Sequence, residues 1–176
     1  MLSHHEKRLL ARMRLGRRAF IGLGVAGLAG GGLLLWRISE AGAVPEAGFA
    51  VRLSDAEWRR RLSPEAYRVL RRGATERSGS SPLDREHRRG TFRCAGCDLP
   101  LYSSADKFDS GTGWPSFTRP LRNAVGTRPD DTLLMHRTEV HCRRCGGHLG
   151  HVFDDGPPPT GQRWCMNGAA LRFVAA

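Results

Sequence analysis

Beyond residue 50 the apolar positions fall first at helical and then at strand spacing. Ser54-Asp55-Ala56-Glu57 has the form of a capping box, and Trp58 and Leu62 follow four residues apart. Ser63 offers a second N-cap, Pro64 a first helical position, Tyr67 and Leu70 one apolar face, and Gly73 a stop. Two short helices are predicted. The arginines between these apolar positions (Arg59, Arg60, Arg61, Arg68, Arg71 and Arg72) fall on outward faces, and no aromatic residues are interleaved with them for base stacking. After the loop at Ser78-Gly79-Ser80-Ser81-Pro82, short apolar or alternating stretches separated by Gly, Pro, Asp and Asn predict strands near 90–93, 132–137, 139–141, 151–153, 163–166 and 170–174. Helices first and strands afterward make an α+β fold, mainly β, with an antiparallel core and short N-terminal helices packed at one side.

The segment ahead of this pattern is of another kind. Ala19 to Trp36 is 18 residues without a charge, preceded by Lys7, Arg8, Arg12, Arg14, Arg17 and Arg18, which is the order of an export signal. As a helix the run would rise about 27 Å, marginal for a bilayer core, and six glycines weaken it further. Arg17-Arg18-Ala19-Phe20-Ile21 is similar to the twin-arginine signal, with Gly16 where Ser or Thr is more usual, and Ala41-Gly42-Ala43 offers a cleavage site. The chain therefore divides into a signal peptide or anchor at 1–43, a linker at 44–51 and a domain at 52–176. The expected location is the periplasm, with the inner membrane as the alternative if the signal stays uncleaved.

Charge sharpens that division. The formal net charge is +11, but residues 1–43 carry 7 basic and 2 acidic residues, and from Gly90 onward the count is 10 against 8. The basic excess sits in the N-terminal half, so no nucleic-acid partner is expected, and membrane contact is expected only through an uncleaved signal.

Five cysteines cannot all pair within one chain. Cys94-Ala95-Gly96-Cys97 and Cys142-Arg143-Arg144-Cys145 are two C-x-x-C pairs separated by 44 residues, and such paired knuckles suit a tetrahedral Zn²⁺, with Gly96 and Gly146 relaxing the turns. A redox pair or two disulfides are the alternatives. One structural ion per chain would join two distant segments. Cys165 remains, in Arg163-Trp164-Cys165-Met166-Asn167; on a strand, Arg163 and Asn167 would share its face, and a neighbouring cation favours thiolate. His148 and His151, three residues apart between glycines, are candidate proton donors to it, since four thiolates already complete a zinc shell. Gly111 to Phe117 adds a glycine-flanked aromatic segment around Trp114.

Together these stretches resemble the methionine-R-sulfoxide reductases, the B family, over nearly all of residues 52–174: Glu57 to Leu62, Gly90 to Cys94, Ser110 to Phe117, His148 to Phe153 and Arg163 to Phe173. The resemblance implies two antiparallel sheets flanked by short helices, a zinc away from the active site, and reduction of the R epimer of methionine sulfoxide, free or in oxidised proteins. It implies that Cys165 attacks the sulfoxide sulfur and His151 protonates the oxygen. His148, Asn167 and Arg163 would place and polarise the reacting groups, while Trp114 and Phe153 would contact the substrate. Many members carry a resolving cysteine two residues before the tryptophan; here that position is Thr112. The implied Cys165 sulfenic acid must then meet an external small thiol or a thioredoxin-like reductant. A zinc module without catalysis, or a thiol enzyme acting on peroxide, would be the readings from other classes.

Overall fold

The computed structural model describes residues 48–132 and 135–176, within a compact unit that spans Ala43–Ala176. The expected signal at 1–43 and the first part of the expected linker lie outside the described residues. No helix among those described is long and apolar enough to cross a membrane. The end of the linker is docked rather than loose. Val51 N–H donates to Arg144 O at 3.0 Å, and the Phe49 ring stands edge-on to His141 at 5.7 Å.

Among the described residues two α-helices come first, α1 (Asp55–Arg61) and α2 (Pro64–Arg72). Ser54 and Glu57 close the capping box reciprocally, satisfying donors that the first turn leaves unpaired. Ser63 caps α2, Pro64 begins it, and Gly73 ends it in the left-handed region at φ 66°. Trp58, Leu62, Tyr67 and Leu70 are all buried, which fixes the inward faces that the spacing predicts.

Nine strands follow among the described residues: β1 (Gly90–Cys94), β2 (Pro100–Ser103), β3 (Lys107–Phe108), β4 (Ser116–Phe117), β5 (Val125–Asp130), β6 (Arg137–Cys142), β7 (His148–Phe153), β8 (Arg163–Met166) and β9 (Leu171–Ala175). They form two sheets, of order β2-β1-β9 and β3-β4-β8-β7-β6-β5, and every pairing is antiparallel. Phe92 and Tyr102 from the small sheet meet Phe117 from the large one, with ring centroids 5.0 and 4.3 Å apart. Val140, Leu149 and Met166 complete this core, and Tyr102 Oη donates to Met166 Sδ at 3.1 Å.

The strand expected over 132–137 is not one element. β5 ends at Asp130, β6 begins at Arg137, and Thr132 lies in the turn between them. β5 occupies the edge of the large sheet, where Pro129 is tolerated because an edge strand has one side without ladder partners. β7 begins at His148, three residues before the expected start, and β2, β3, β4 and β5 are additions.

Candidate active site and metal centre

Cys165 stands at the centre of a row that crosses the large sheet. Strand pairing aligns Phe108 with Ser116, Ser116 with Cys165, Cys165 with His151, His151 with Glu139, and Glu139 with Arg128. Residues directly opposite in adjacent strands share a face, with Cβ atoms about 5 Å apart, so the register puts Cys165 and His151 side by side although 13 residues lie between them. Gly150 makes the register possible at its own position: a Cβ there would lie 2.1 Å from Cys165 O.

Burial pushes the Cys165 thiol pKa up, and the charge of Arg163 together with hydrogen bonds from Thr112, Ser116 and Arg163 only partly offsets it. The expected cation is therefore present, but its effect is smaller than the desolvation. The hydroxyls form a chain: Thr112 Oγ1 and Ser116 Oγ each lie 2.8 Å from Ser110 Oγ, and Ser116 Oγ donates to Trp114 O. Arg163 is held by two hydrogen bonds of 2.9 Å to Asp155, and its guanidinium lies 4.4 Å from the Phe153 ring centroid. Phe153 is thus a neighbour of Arg163 and pairs with it across β7 and β8.

Asn167 departs from the expected arrangement. It lies one residue past β8 rather than on it, and its amide is engaged: Oδ1 accepts from Glu76 N and Nδ2 donates to Leu149 O. At 3% exposure its role is to clamp β8 to its surroundings. The residue that organises this clamp is Glu76. Its buried carboxylate accepts from Gly168 N and Ala169 N at 2.5 and 2.8 Å, and its carbonyl accepts from Trp114 Nε1 at 3.2 Å. Burial raises the Glu76 pKa in spite of those two backbone donors. Gly113, at φ 83°, lets this loop approach residues 78 and 79; Ser78 Oγ donates to Thr112 O and Gly79 N to Gly113 O. A lone glutamate in a polar stretch gives no sequence signal for such a junction. A cleft of about 520 Å³ has Glu76, Ser81, Gly168 and Phe173 in its lining, but not Cys165.

Both histidines are buried and each is bound to a carboxylate. His148 Nδ1 lies 2.8 Å from Glu139 Oε1, His151 Nε2 lies 2.7 Å from Asp130 Oδ2, and the two rings are 5.4 Å apart. Glu139 has its pKa held at about 2, because hydrogen bonds from His148 and Arg128 outweigh the upward push of burial. These carboxylates are functional candidates that sequence reasoning missed, since only the β5–β6–β7 register carries them to the imidazoles.

The four remaining cysteines converge. Cys94, Cys97, Cys142 and Cys145 are all buried, with their sulfurs within 4.8 Å of one another. Cys94 Sγ lies 3.7 Å from Cys145 Sγ, and Cys97 Sγ 3.5 Å from Cys142 Sγ. A tetrahedron of thiolates at a Zn–S length of about 2.3 Å has edges of about 3.8 Å, so the cage fits such an ion. The knuckles share one backbone plan: Asp98 N and Gly146 N each donate at 2.9 Å to the carbonyl of the cysteine four residues earlier. Both sit in the left-handed region, at φ 63° and 67°. Asp98, not Gly96, therefore supplies the left-handed turn in the first knuckle. Gly96 packs beneath Trp58 and Leu70, where a Cβ would make ordinary contacts at 3.4 and 3.5 Å, so neither the turn nor the packing requires glycine there. Arg71 and Arg144 donate to Cys145 O and Cys97 O, tying α2 to one knuckle and the two knuckles to each other. Along β6, Cys142 is three residues from Glu139, about 10 Å for extended chain, so the metal centre is separate from the Cys165 row.

Comparison with known proteins adds three relatives to this geometry. Residues 62–175 match the SelR domain. A peptide methionine sulfoxide reductase MsrB of Thiobacillus denitrificans is 56% identical over 121 residues, 68% of this chain and 92% of the relative. Proteins of the same name from Agrobacterium fabrum and Methanosarcina barkeri are 52% and 49% identical over 124 and 125 residues, each 70% of this chain and 92% and 88% of the relative.

Proposed function

This chain belongs to the SelR family of peptide methionine sulfoxide reductases, and from that membership we propose that it acts on methionine-R-sulfoxide through a Cys165 sulfenic acid and needs an external thiol to complete the cycle. It is an oxidoreductase, a peptide-methionine (R)-S-oxide reductase. The observation that carries the mechanistic reading is the cross-strand pairing of Cys165 with His151. The Cys165 thiolate attacks the sulfoxide sulfur and His151 supplies a proton; the oxygen ends on Cys165 as sulfenic acid, methionine leaves as the thioether, and one proton is consumed. Arg163 offsets part of the cost of charging the half-buried thiol, and the Thr112 and Ser116 hydroxyls lie within hydrogen-bonding reach of it. Trp114, held by Glu76 through its indole N–H, offers an aromatic face to the substrate methyl group.

Thr112 supports the external-thiol step. Its hydroxyl belongs to the Ser110 and Ser116 chain beside the nucleophile, where a resolving cysteine would have to stand. An incoming thiol attacks the sulfenic sulfur and releases water, and a second thiol then frees Cys165 and leaves as a disulfide with the first. A small thiol or a thioredoxin-like domain can do this.

The four-cysteine cage is proposed to hold one Zn²⁺, which supplies a fixed cross-link between the knuckles; Cys94, Cys97, Cys142 and Cys145 would hold it. The basic, glycine-rich N-terminus supports export by a twin-arginine route to the periplasm, with an uncleaved signal leaving the enzyme at the inner membrane. Folded export would let the cage fill in the reducing cytoplasm.

Assay of the full chain with each sulfoxide epimer separately, with dithiothreitol as reductant, tests the activity. Methionine should form from the R epimer and not from the S epimer. Equal rates, or preference for S, would overturn the reading.

A further inference from the structure

Two carboxylates that the reaction above does not use hold its two histidines. Asp130, the last residue of β5, is bound by His151 Nε2 at 2.7 Å and by Arg137 Nη2 at 2.8 Å. Glu139 of β6 is bound by His148 Nδ1 at 2.8 Å and by Arg128 of β5. Each imidazole thus ends a chain of arginine, carboxylate and histidine. All four supporting residues come from one hairpin, where Arg128 pairs with Glu139 and Asp130 with Arg137. The pairs are not surface decoration: the side chains of His148 and Glu139 are 7 and 11% exposed, and those of His151 and Asp130 are 11 and 14%.

The two chains grip their imidazoles by opposite atoms. Glu139 takes Nδ1 of His148 and leaves Nε2, a buried nitrogen with no hydrogen-bond partner among the described residues. Asp130 takes Nε2 of His151 and leaves Nδ1. A carboxylate bound to one ring nitrogen fixes the ring's orientation, selects which nitrogen faces the reaction, and favours the imidazolium. His151 stands in need of that help, since burial lowers its pKa, Arg137 and His148 add to the effect, and the hydrogen bond to Asp130 opposes them.

Resting on the reading that an imidazole delivers the proton during sulfoxide reduction, we propose that Asp130 and Glu139 are positioning residues of that step. Asp130 orients His151 and supplies the negative charge that its imidazolium requires. Glu139 fixes His148 through Nδ1 so that Nε2 is the atom left to hydrogen-bond the sulfoxide oxygen. In the step itself the proton moves from His151 to that oxygen, which stays on Cys165 as the sulfenic hydroxyl, and the imidazole is left neutral.

The test is single-turnover kinetics of the full chain on methionine-R-sulfoxide across pH, for wild type, Asp130→Asn, Glu139→Gln, and Asp130→Asn combined with His151→Ala. The charged and titratable groups that act on His151 are Asp130, Arg137 and His148, with Glu139 and Cys165 opposite it on the neighbouring strands. Asp130→Asn removes only the charge that stabilises the imidazolium, so the limb set by His151, which is the low-pH limb because burial holds its pKa below that of Cys165, should move to lower pH. The high-pH limb, set by Cys165, should remain. The rate should fall about tenfold at neutral pH, the scale for losing a group that orients an imidazole, with KM within about twofold of wild type. Glu139→Gln should fall by a similar factor without moving the low-pH limb. Adding Asp130→Asn to His151→Ala should cost nothing further, because the carboxylate acts through the imidazole. Full additivity, an unmoved low-pH limb in Asp130→Asn, or a loss confined to melting temperature would overturn the proposal. Wild type inactive on the R epimer would instead overturn the underlying activity, so the two failures are distinct.

Discussion

Replacing Cys165 by Ser should reduce turnover of methionine-R-sulfoxide by on the order of 10⁴-fold or more, to the background of the reductant alone. A hydroxyl at this position remains protonated at neutral pH, whereas a thiol can ionise even when burial raises its pKa, because Arg163 and two hydroxyls offset part of the cost. The variant differs by one atom at a half-buried position, and its partners Ser116 and His151 stay in place through the ladder. Circular dichroism and melting temperature should be close to wild type. Steady-state assay with the R epimer at saturating thiol checks the loss; appreciable turnover by the serine variant would remove Cys165 from the chemistry.

The second large effect concerns the metal centre. The two knuckles lie at the ends of β1 and β6, which belong to different sheets, and α2 packs Leu70 against both. An ion held by all four sulfurs therefore joins the small sheet, the large sheet and α2 at one point, and its binding free energy is part of the folding free energy. Cys94→Ser, or prolonged treatment with a strong chelator, should lower zinc content to well below one ion per chain and lower the melting temperature by more than about 10 °C. Elemental analysis alongside calorimetry checks both quantities together. Zinc-free wild-type protein with an unchanged melting temperature would mean that the sulfurs hold one another rather than a metal.

Sequence made some of this legible and hid the rest for physical reasons. The helix boundaries could be read because caps are local: Ser54 with Glu57, and Ser63 with Pro64 and Gly73, act within a turn of the residues they stop or start. The knuckles could be read because two thiolates on one tight turn need a fixed spacing. Cys165, His148 and His151 stood out by residue type. Asp130 and Glu139 did not, since a carboxylate near histidines in the fold is an ordinary surface residue in the sequence until β5, β6 and β7 are set in register. β5 itself was invisible because an edge strand with Thr127, Arg128 and Pro129 exposed shows no alternation. Asn167 was expected to share the Cys165 face as if the strand ran on to it, but the strand ends at Met166, as its expected bounds had it, and the amide turns inward to Glu76 and Leu149. Glu76 had no local partner to reveal it, since the groups it joins lie at Trp114 and at 167–169.

Whether the chain reduces sulfoxide by leaving an unresolved sulfenic acid on Cys165 can be decided in one measurement. Reduced, metal-loaded full-length protein is mixed with one equivalent of methionine-R-sulfoxide without reductant, quenched with a sulfenic-acid trap, and mapped by mass spectrometry. One trap adduct on Cys165, one equivalent of methionine and no new disulfide are expected, because Thr112 has no thiol to offer and the other four cysteines are held in the cage. A disulfide between Cys165 and any of Cys94, Cys97, Cys142 or Cys145, or methionine released with Cys165 unmodified, would overturn both the direct-reduction route and the assignment of the nucleophile.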